Sequence, residues 1–589
     1  MNDNPSENSS DRLTLMRKGD LKEKRKEVFS LPHQEALDKI LSIQNPLPLV
    51  HSFPEEDLYF LLHEIGVEDS LPILALASSK QLEYILDREI WNKDRMDLNA
   101  LAQWMDFMLE ADSHRFTNWL MYEKEELLEY FLHHSIEVRL REHDEDPSDF
   151  GNAFSTFDDV LYYRILDGDP KTPEPDSTEG EDSDENNLVK GTYERVERVV
   201  REMAFENHDI YQKIMVQSVW IISPEAEEEA FRWRNVRLSE KGFPPLEEAL
   251  EIYAPLSFDQ LERIRKTTKK SMRKADPRVG FSESPFQLIQ KDSLLPGALD
   301  LLFGTGDMDL IQQEFASLCN RIAAADQSVV KTREDLTAIV KKACGYIQIG
   351  LEKLGDIQSR AGNPAPLIHD YPVSGVFRMG FGCAMALKWR VQKWMDQSWF
   401  KSKGFTLRFW DESWMGVLGG LLIKKPLFFD PFKAGSLYRE FGSLEEIQRM
   451  ENIVDDIVSM DQLLSLWDFT FDSGPAPGEL THKNLILTSW AKERLGLSDE
   501  FSPLSLGDFK TFFKGIWTQK ARPRKISQSA KKDFLNFMAG KTGLREDEIS
   551  LKIGPVLEDI FKEIEEELGG VTLNNLDPRY IRHFLLKSP

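Results

Sequence analysis

The sequence predicts an all-α protein in which an N-terminal superhelical array of helical repeats precedes a larger helical bundle region. A five-residue signature, which reads large apolar, any residue, aromatic, apolar, leucine, occurs four times at a nearly fixed spacing. Apolar residues also recur at helical spacing in later segments. The longest apolar run near the C-terminal half, Gly416 to Ile423, is too short to cross a bilayer. The prediction therefore includes no transmembrane segment.

The four copies of the signature predict stacked helices. They are Leu58–Leu62, Leu82–Leu86, Met105–Leu109 and Leu128–Leu132, whose first residues lie 24, 23 and 23 positions apart. A single unit of this kind cannot bury its apolar face alone, so neighbouring units stack and share a continuous core. Polar breaks such as 66–70 and 110–113 leave room for two short helices in each period.

This repeat pattern resembles the helical N domain of MgtE-type magnesium channels over residues 34–138. The resemblance implies a superhelical fold. Because the chain lacks the transmembrane segment and the recognisable regulatory domain of that family, the resemblance does not extend to a magnesium site.

Length and charge limit the possible functions. A chain of 589 residues predicts two to four domains, and its net charge of −27 disfavours binding of nucleic acid or anionic membrane by the whole protein. Cys319, Cys344 and Cys383 lie in apolar surroundings without metal-binding spacing, which predicts free thiols in a reducing compartment. The first fifteen residues lack the apolar core of a signal peptide. We therefore expect a cytoplasmic protein.

Composition predicts four regions. They are a polar arm over 1–30, the repeat array over 31–146, a helical region over 147–290 and a C-terminal helical region over 291–589. An acidic loop over 167–187 interrupts the third region. It is expected to be disordered, because like charges without apolar residues cannot offset the entropy of ordering. A partner-binding acidic segment is the alternative.

The most distinctive polar segment runs from Ala230 to Pro245 and predicts a helix that ends at Gly242, with proline preventing its continuation. Its candidate ligand-binding residues are Arg232, Trp233, Arg234 and Arg237. Arginines beside a tryptophan can clamp an anion or stack on a base. The alternative is that they form ion pairs that hold helices together.

The Arg-Trp-Arg and Arg-Leu-x-Glu-x-Gly-Phe-Pro pattern of this segment resembles a bacterial family of large helical proteins of unknown function. Similar segments are Gly350–Leu354, Leu427–Pro431 and Leu576–Ile581. The resemblance implies a helical fold over most of the chain after the acidic loop. It implies no activity and no catalytic residue.

A basic helix is predicted after Ser257, which has the spacing of a capping box with Gln260. Its charged residues are Arg263, Arg265, Lys266, Lys269, Lys270, Arg273 and Lys274. A solvated helical face is the first interpretation. The alternatives are docking onto the acidic loop and binding of phosphates. A second basic cluster, over 514–532, mixes with aromatic residues and is the better nucleic-acid candidate, with a loop between helices as the first interpretation.

Three local predictions concern helix geometry. Ser52 has capping-box spacing with Glu55 and is expected to open the first signature helix. Gly380 and Gly382 begin a dinucleotide-like pattern, but Met385 occupies the place of its third glycine, so these glycines instead predict a buried helix that approaches its neighbours closely. A buried turn and a short hydrophobic segment are expected over 416–429.

No catalytic or phosphate-binding motif occurs, and no cofactor or metal is predicted. The nearest approach to a metal cluster is His133, His134 and His143 with Asp144 and Asp146, which a surface helix end explains equally well. The leading hypothesis is a cytoplasmic scaffold or adaptor that binds other proteins through helical surfaces. The alternatives are an enzyme or ligand sensor with a pocket in the C-terminal helical region, and nucleic-acid binding by the basic helix.

Overall fold

The structure is a computed structural model of the chain. It describes residues 18–142, 146, 150, 153–166, 183–271, 284–289, 295–297, 308–358, 364–432, 437–467, 480–497, 501–518 and 523–587. Most of these residues are helical, which confirms the predicted all-α class.

In chain order the α-helices are Lys18–Ser30 (α1), His33–Leu41 (α2), Leu47–Ser52 (α3), Glu55–Ile65 (α4), Leu71–Leu74 (α5), Ser79–Glu89 (α6), Leu98–Glu123 (α7), Glu125–Ser135 (α8), Ser183–Glu206 (α9), His208–Val219 (α10), Ser223–Glu240 (α11), Leu246–Ala249 (α12), Phe258–Ser271 (α13), Ser284–Gln287 (α14), Met308–Asp326 (α15), Arg333–Ile357 (α16), Ala365–Asp370 (α17), Val373–Met395 (α18), Trp399–Ser402 (α19), Asp411–Leu422 (α20), Leu444–Ser465 (α21), His482–Arg494 (α22), Leu506–Gly515 (α23), Gln528–Thr542 (α24) and Glu546–Leu568 (α25). The strands are Trp91–Asn92 (β1), Arg95–Met96 (β2), Ile136–Leu140 (β3), Ser155–Thr156 (β4), Leu161–Ile165 (β5), Phe428–Phe429 (β6) and Tyr438–Arg439 (β7).

The chain divides into two compact units. The first comprises residues 1–252, 269–291 and 302–343, and the second comprises residues 253–268, 292–301 and 344–589. The four regions predicted from composition stay predictions. Residues 167–182 of the predicted acidic loop lie outside the described residues, and α9 begins at Ser183, before the predicted end of that loop.

All four signature segments form buried helix faces in the first unit. They lie in α4, α6, α7 and α8, and apart from half-buried Phe107 their leucines and aromatic residues are buried. The helices α4 and α6 pack together, while α7 packs against α8 and along α9. The predicted break over 110–113 appears as a kink within α7, where Asp112 has φ −161° and ψ 90°. Helices and core positions were therefore predicted correctly, and the superhelical arrangement stays a prediction.

The predicted capping box at Ser52 is wrong. Ser52 ends α3, and its hydroxyl donates to the carbonyl of Leu49, so Pro54 precedes the first turn of α4 instead. By contrast, Ser257 and Gln260 form the predicted reciprocal cap of α13, since each backbone N–H lies within hydrogen-bond distance of the other side chain. The hydroxyl of Ser52 is thus bound to its own helix and does not cap α4.

The carboxylate of Glu89 joins several parts of the first unit. Glu89 accepts hydrogen bonds from Tyr59 Oη at 2.5 Å, Lys331 Nζ at 2.7 Å and Trp104 Nε1 at 3.3 Å. His63 Nε2 lies 3.3 Å from the same carboxylate, whose side chain is only 7% exposed. Burial raises the pKa of Glu89, but the hydrogen bonds from His63, Lys331 and Tyr59 outweigh burial and lower this pKa to about 2. We call these five residues the Glu89 cluster.

A second buried carboxyl lies on the same helix as Tyr59. Glu56 is 4% exposed and accepts a hydrogen bond of 3.0 Å from Asn320 Nδ2 in α15, which also donates to the carbonyl of Lys241. Burial, and next to it the charge of Asp57, raises the pKa of Glu56 to about 8. Glu56 is therefore predominantly protonated at neutral pH.

The first unit also contains a small antiparallel sheet. Its central strand, β5, pairs with β3 on one side and β4 on the other, in a register that places Ile136 opposite Ile165 and Val138 opposite Tyr163. The sheet packs against α9 and α10. Sequence analysis did not predict these short strands.

Glycines allow close contact between α16 and α18 in the second unit. A Cβ atom at Gly380 would collide with the carbonyl oxygen of Tyr346 and lie 2.9 Å from the nitrogen of Gly350. A Cβ atom at Gly350 would in turn collide with the carbonyl oxygen of Val376. These obstacles are backbone atoms, so rotation of a side chain cannot relieve them. The predicted role of Gly380 in close helix packing is therefore confirmed.

The buried turn and short hydrophobic segment expected over 416–429 are found in part, since a bend over 423–425 leads from α20 to β6. Residues through Leu422 belong to α20, and Gly416, Val417, Leu418 and Leu421 are buried within that helix. Gly416 faces the ring of Phe429 in β6, which occupies the volume that a side chain would need. Close packing of a strand on the helix thus accounts for the glycine-rich composition that suggested a turn.

No helix among the described residues is both long and apolar enough to cross a membrane. Cys319, Cys344 and Cys383 form no disulfide bond, as predicted. Burial raises the pKa of the Cys344 thiol to about 12 and also raises that of Cys383, so neither is an activated nucleophile.

Replacing Glu89 with glutamine should destabilise the first unit by about 3 kcal/mol at pH 7, because a buried cluster loses its only anion. Since the pKa of Glu89 is lowered on folding, its contribution is present above the ordinary glutamate pKa of 4.5 and is lost as pH falls toward 2. In urea denaturation, the difference between wild type and Glu89→Gln should shrink from pH 5 toward pH 2. The exposed Glu247→Gln is the control, and equal midpoints for all three proteins at pH 7 would contradict the role of the cluster.

Replacing Gly380 with alanine should destabilise the second unit by about 3 kcal/mol, because α16 and α18 must separate to admit one methyl group. The matched control is Gly540→Ala in α24, where a Cβ atom meets nothing within 4 Å. There alanine should be neutral or stabilising by up to about 1 kcal/mol through helix propensity. Thermal unfolding of both variants checks this prediction, which a harmless Gly380→Ala would refute.

Candidate functional site

A large concave surface of the first unit lies between α6, the end of α7, α8 and α11. Its volume is about 860 Å³, within the usual range of about 300–1,000 Å³ for ligand pockets. Its apolar floor consists of Leu86, Ile90, Trp91, Met96, Leu127, Ile221, Ile222 and Trp233. Its carboxylates are Glu83, Asp87, Glu123, Glu125, Glu126, Glu129, Glu225 and Glu229. We call this surface the acidic groove.

One face of α11 forms a wall of the acidic groove. Glu225, Glu229, Trp233 and Arg237 follow one another at intervals of four residues, which places them along the same side of the helix. Trp233 is 51% exposed, and Tyr122 on the opposite wall is 57% exposed. Aromatic side chains in a concave surface are thus accessible to solvent.

Two of the candidate arginines fasten α11 to α6. Arg237 binds Asp87 with two hydrogen bonds, Nε to Oδ2 at 2.8 Å and Nη2 to Oδ1 at 2.7 Å. Arg234 Nε donates to the carbonyl of Asp87 at 2.7 Å, and its guanidinium lies over the ring of Trp91. Burial lowers the pKa of Arg234 to about 10. Both guanidinium groups have protein partners, so the geometry gives no support to an anion clamp.

The other two candidates are more exposed. Arg232 Nη2 lies 3.0 Å from Glu229 Oε1, and this arginine lines a separate hollow of about 1,010 Å³ on α11. Trp233 lies in the acidic groove and donates a long hydrogen bond of 3.4 Å to the same Glu229. The segment singled out by sequence therefore contributes to two surfaces, of which the acidic groove contains Trp233 and Arg237.

Carboxyl groups crowd one end of the acidic groove. With its amide oriented to donate, Gln217 lies 3.1 Å from Glu125 Oε1 and 3.0 Å from Glu129 Oε1. Lys213 Nζ lies 2.5 Å from Glu125. Burial, and next to it the charge of Glu125, raises the pKa of Glu129 to about 7. This end of the groove therefore gains negative charge as the pH rises through neutrality.

The predicted basic patch is only partly described. Arg265 lies in α13 and pairs with Asp370, with the two atoms 2.5 Å apart, while its guanidinium lies over Tyr371. Arg263 is exposed in the same helix. Lys266, Lys269 and Lys270 belong to α13 by their backbone, and Arg273 and Lys274 lie outside the described residues. In the second basic cluster, Arg524 covers the rings of Phe513 and Trp517.

A smaller cavity lies in the second unit, between α20, α21, α22 and α25. Its volume is about 300 Å³, and we call it the C-terminal cavity. Its lining includes Trp414, Ile453 and Ile560, with the charged side chains of Asp456, Lys483, Asp559, Lys562, Glu563 and Glu566. This lining combines an aromatic ring, aliphatic groups and charges of both signs.

A chain of ion pairs passes beside the C-terminal cavity. Lys483 Nζ lies 2.6 Å from Asp411 Oδ2 and 2.7 Å from Glu563 Oε2. Glu563 and Glu567 both contact His583, at 2.9 Å and 2.5 Å. Burial lowers the pKa of His583, but its two carboxylate partners outweigh burial and raise this pKa to about 9. His583 is therefore a cation at neutral pH.

Asp411 has a strained backbone. Its φ of 63° and ψ of −179° fall in a region that only glycine occupies readily. The side chain supports this conformation, since Asp411 Oδ1 accepts hydrogen bonds from the backbone N–H groups of Ser413 and Trp414 at the start of α20. Trp414 stacks in parallel on His482, with ring centres 4.8 Å apart. Burial lowers the pKa of His482 to about 4, so its imidazole is neutral.

Within the described part of the chain, no group of three or more His, Cys, Asp or Glu side chains could hold a metal ion. His133 Nδ1 lies 2.8 Å from the carbonyl of Ser218, and His134 Nε2 lies 2.6 Å from the hydroxyl of Ser223. His143 and Asp144 lie outside the described residues. His133 therefore connects α8 to α10, and His134 connects α8 to the first residue of α11.

Of the candidate binding residues predicted from the sequence, Trp233 and Arg237 line the acidic groove, and none lines the C-terminal cavity. Glu83, Asp87 and Glu129 lie on helices whose apolar residues were predicted as core, and in so acidic a chain their charge was not distinctive. Asp411, Lys483 and Glu563 are far apart in sequence and carry no motif. Only their packing in three dimensions brings them together.

These features define a large helical protein with an acidic, partly aromatic groove in one unit and a charged cavity in the other. The chain belongs to the Family of unknown function (DUF6178), whose sequence profile matches residues 14–587. This match confirms the predicted membership of an uncharacterised family of helical proteins. No curated protein and no solved structure gave a significant match. The resemblance to the N domain of MgtE-type channels therefore rests on the repeat pattern alone.

Proposed function

We propose that this protein is an interaction protein that receives a segment of another protein in the acidic groove. The observation that carries the proposal is the concave apolar floor with exposed Trp233, Tyr122 and Ile222, the last of which is 62% exposed. Exposed aromatic and aliphatic side chains that share a surface with a polar rim are typical of protein-binding sites. Tryptophan and tyrosine are also frequent among residues that dominate binding energy.

The contacts between α11 and α6 support the proposal that the groove has its shape before a partner binds. The bidentate pair between Arg237 and Asp87 and the contact of Arg234 with the same residue fix α11 on α6. A rigid wall reduces the entropy lost when a partner binds. The three cysteines form no disulfide bond, as in proteins of a reducing compartment, and we place this interaction in the cytoplasm.

A second candidate function is the binding of a small organic ligand in the C-terminal cavity. The specific observation is the strained backbone of Asp411 beside a cavity lined by Trp414 and Lys483. Backbone strain of this kind is concentrated at functional sites, where the surrounding structure maintains it. This candidate corresponds to the pocket in the C-terminal region that the sequence left as an alternative.

The interaction is tested by placing the photoreactive residue p-benzoylphenylalanine at Trp233 in the full chain, in the native host. Because Trp233 is half exposed in the groove, irradiation should yield a discrete covalent adduct with a partner protein. The control is the same residue at Phe205, an aromatic position of the first unit that is 77% exposed and lies outside the groove lining. Adducts that are absent at 233, or identical at both positions, would refute the proposal.

The second candidate is tested by a thermal-shift screen of small metabolites against wild type and Lys483→Met. A true ligand should raise the melting temperature of wild type and lose this effect in Lys483→Met, which removes a cation from the cavity wall. Lys541→Met is the matched control, because Lys541 is similarly buried and pairs with Glu493 away from the cavity. Ligand shifts that survive in Lys483→Met would place binding elsewhere, and a screen without any shift would count against the candidate.

A further inference from the structure

The rim of the acidic groove has excess negative charge. Lys124 and Arg237 are its two cations, and both are paired within the groove wall, with Glu83 and with Asp87. Among the residues that the structure describes, four rim carboxylates have no ion pair. They are Glu123, Glu126, Glu129 and Glu225. The groove therefore presents unneutralised carboxylates to whatever enters it.

The arrangement of these carboxylates favours a cationic occupant. They come from the end of α7, from α8 and from the first turn of α11, and so they border the apolar floor from more than one wall. The pKa of Glu129 is raised by burial and, next to it, by repulsion from the neighbouring carboxylate of Glu125. A positively charged group between the walls would relieve this repulsion.

The apolar floor of the groove favours a partner that has apolar side chains as well as positive charge. Ile222 and Trp233 are exposed in the groove, and Trp91, Leu127 and Ile221 also line it and are half-buried, so the lining offers an aliphatic and aromatic surface. A small polycation would leave this surface in contact with water. An occupant with apolar side chains flanked by lysine or arginine would satisfy both the floor and the rim.

We propose that the groove's partner is a lysine- or arginine-rich amphipathic helix, which inserts its apolar side chains between α8 and α11 and places its cations against the rim. This inference rests on the proposed function and specifies the class of partner. Nucleic acids and anionic lipids do not fit, because the rim would repel their phosphates. Helix-in-groove docking explains why apolar and acidic residues share one concave surface.

Protonation should regulate this binding. The deprotonated form of Glu129 attracts a cation, and the protonated form does not. Because the pKa of Glu129 is about 7, the affinity for a cationic helix should increase as pH rises from 6 to 8. Other titratable or charged groups at this end are Glu125, Glu126, Lys213 and Tyr130, and replacing Glu129 with glutamine should flatten the pH dependence.

The test measures fluorescence anisotropy of a labelled synthetic helix of leucine and lysine with the full-length protein. Binding should be saturable, and it should weaken about tenfold or more in the double variant Glu126→Lys, Glu225→Lys, because rim charges set complementarity. Glu247→Lys, Glu251→Lys changes the net charge equally at exposed positions of the same unit that do not line the groove, and it should bind like wild type. Trp233→Ala should weaken binding without affecting folding, since its side chain is half exposed.

Three comparison probes distinguish the outcomes. A helix with glutamate in place of lysine should not bind, and a peptide of the same composition without an apolar face should bind weakly. Spermine should compete only at high concentration. Two results would overturn the inference in favour of non-specific cation binding. One is equal weakening of helix binding by both charge-reversal pairs, and the other is full displacement of the helix by spermine without the need for high concentration. If the partner cross-linked at position 233 contacts the groove through a segment without lysine or arginine, the proposed function stands and this inference fails.

Discussion

Side chains from α4, α7 and the segment before α16 converge on the carboxylate of Glu89 at the end of α6. Because this group is 7% exposed, its charge is stabilised by Tyr59, His63, Trp104 and Lys331 rather than by water. A buried anion tolerates little displacement of its donors, so it fixes the relative positions of the segments that supply them. The acidic groove depends on this constraint, since α6 also carries Asp87, to which Arg234 and Arg237 attach α11.

The helical class, the buried signature residues, the end of α11 and the role of Gly380 could all be predicted from sequence. These features are local or periodic. Gly242, for example, has φ 85°, and Phe243 N donates to the carbonyl of Leu238, the bond that ends a helix at a glycine. The helical conformation of residues 416–422 was not predicted, because their glycines allow a strand to pack on α20 and no local pattern shows that contact.

The candidate sites were harder to predict for a different reason. The arginines around Trp233 stand out in the sequence because they alternate with a tryptophan before a Gly-Phe-Pro turn, but the residues that define the groove are acids, which are abundant. Trp233 and Arg237 were therefore predicted as candidate binding residues, but the acidic residues that line the groove with them were not. Asp411, Lys483 and Glu563 come from three helices that are far apart in sequence. Before the helices pack, nothing distinguishes these side chains from other charged surface residues. The acidic groove was therefore missed because acidic residues are common in this chain, and the C-terminal cavity was missed because its residues lie far apart in sequence.

The carboxyl of Glu56 has a thermodynamic consequence for the first unit. Its pKa is about 8 in the folded protein and near 4.5 in an unfolded chain, so unfolding at neutral pH releases a proton. The heat absorbed on unfolding must then include the ionisation heat of the buffer that accepts this proton. The stabilisation from Glu89 increases as pH rises from 2 to 4.5 and is constant above that, whereas Glu56 destabilises the folded state progressively from pH 4.5 to 8. Together these two glutamates shift the most stable condition of the first unit toward mildly acidic pH.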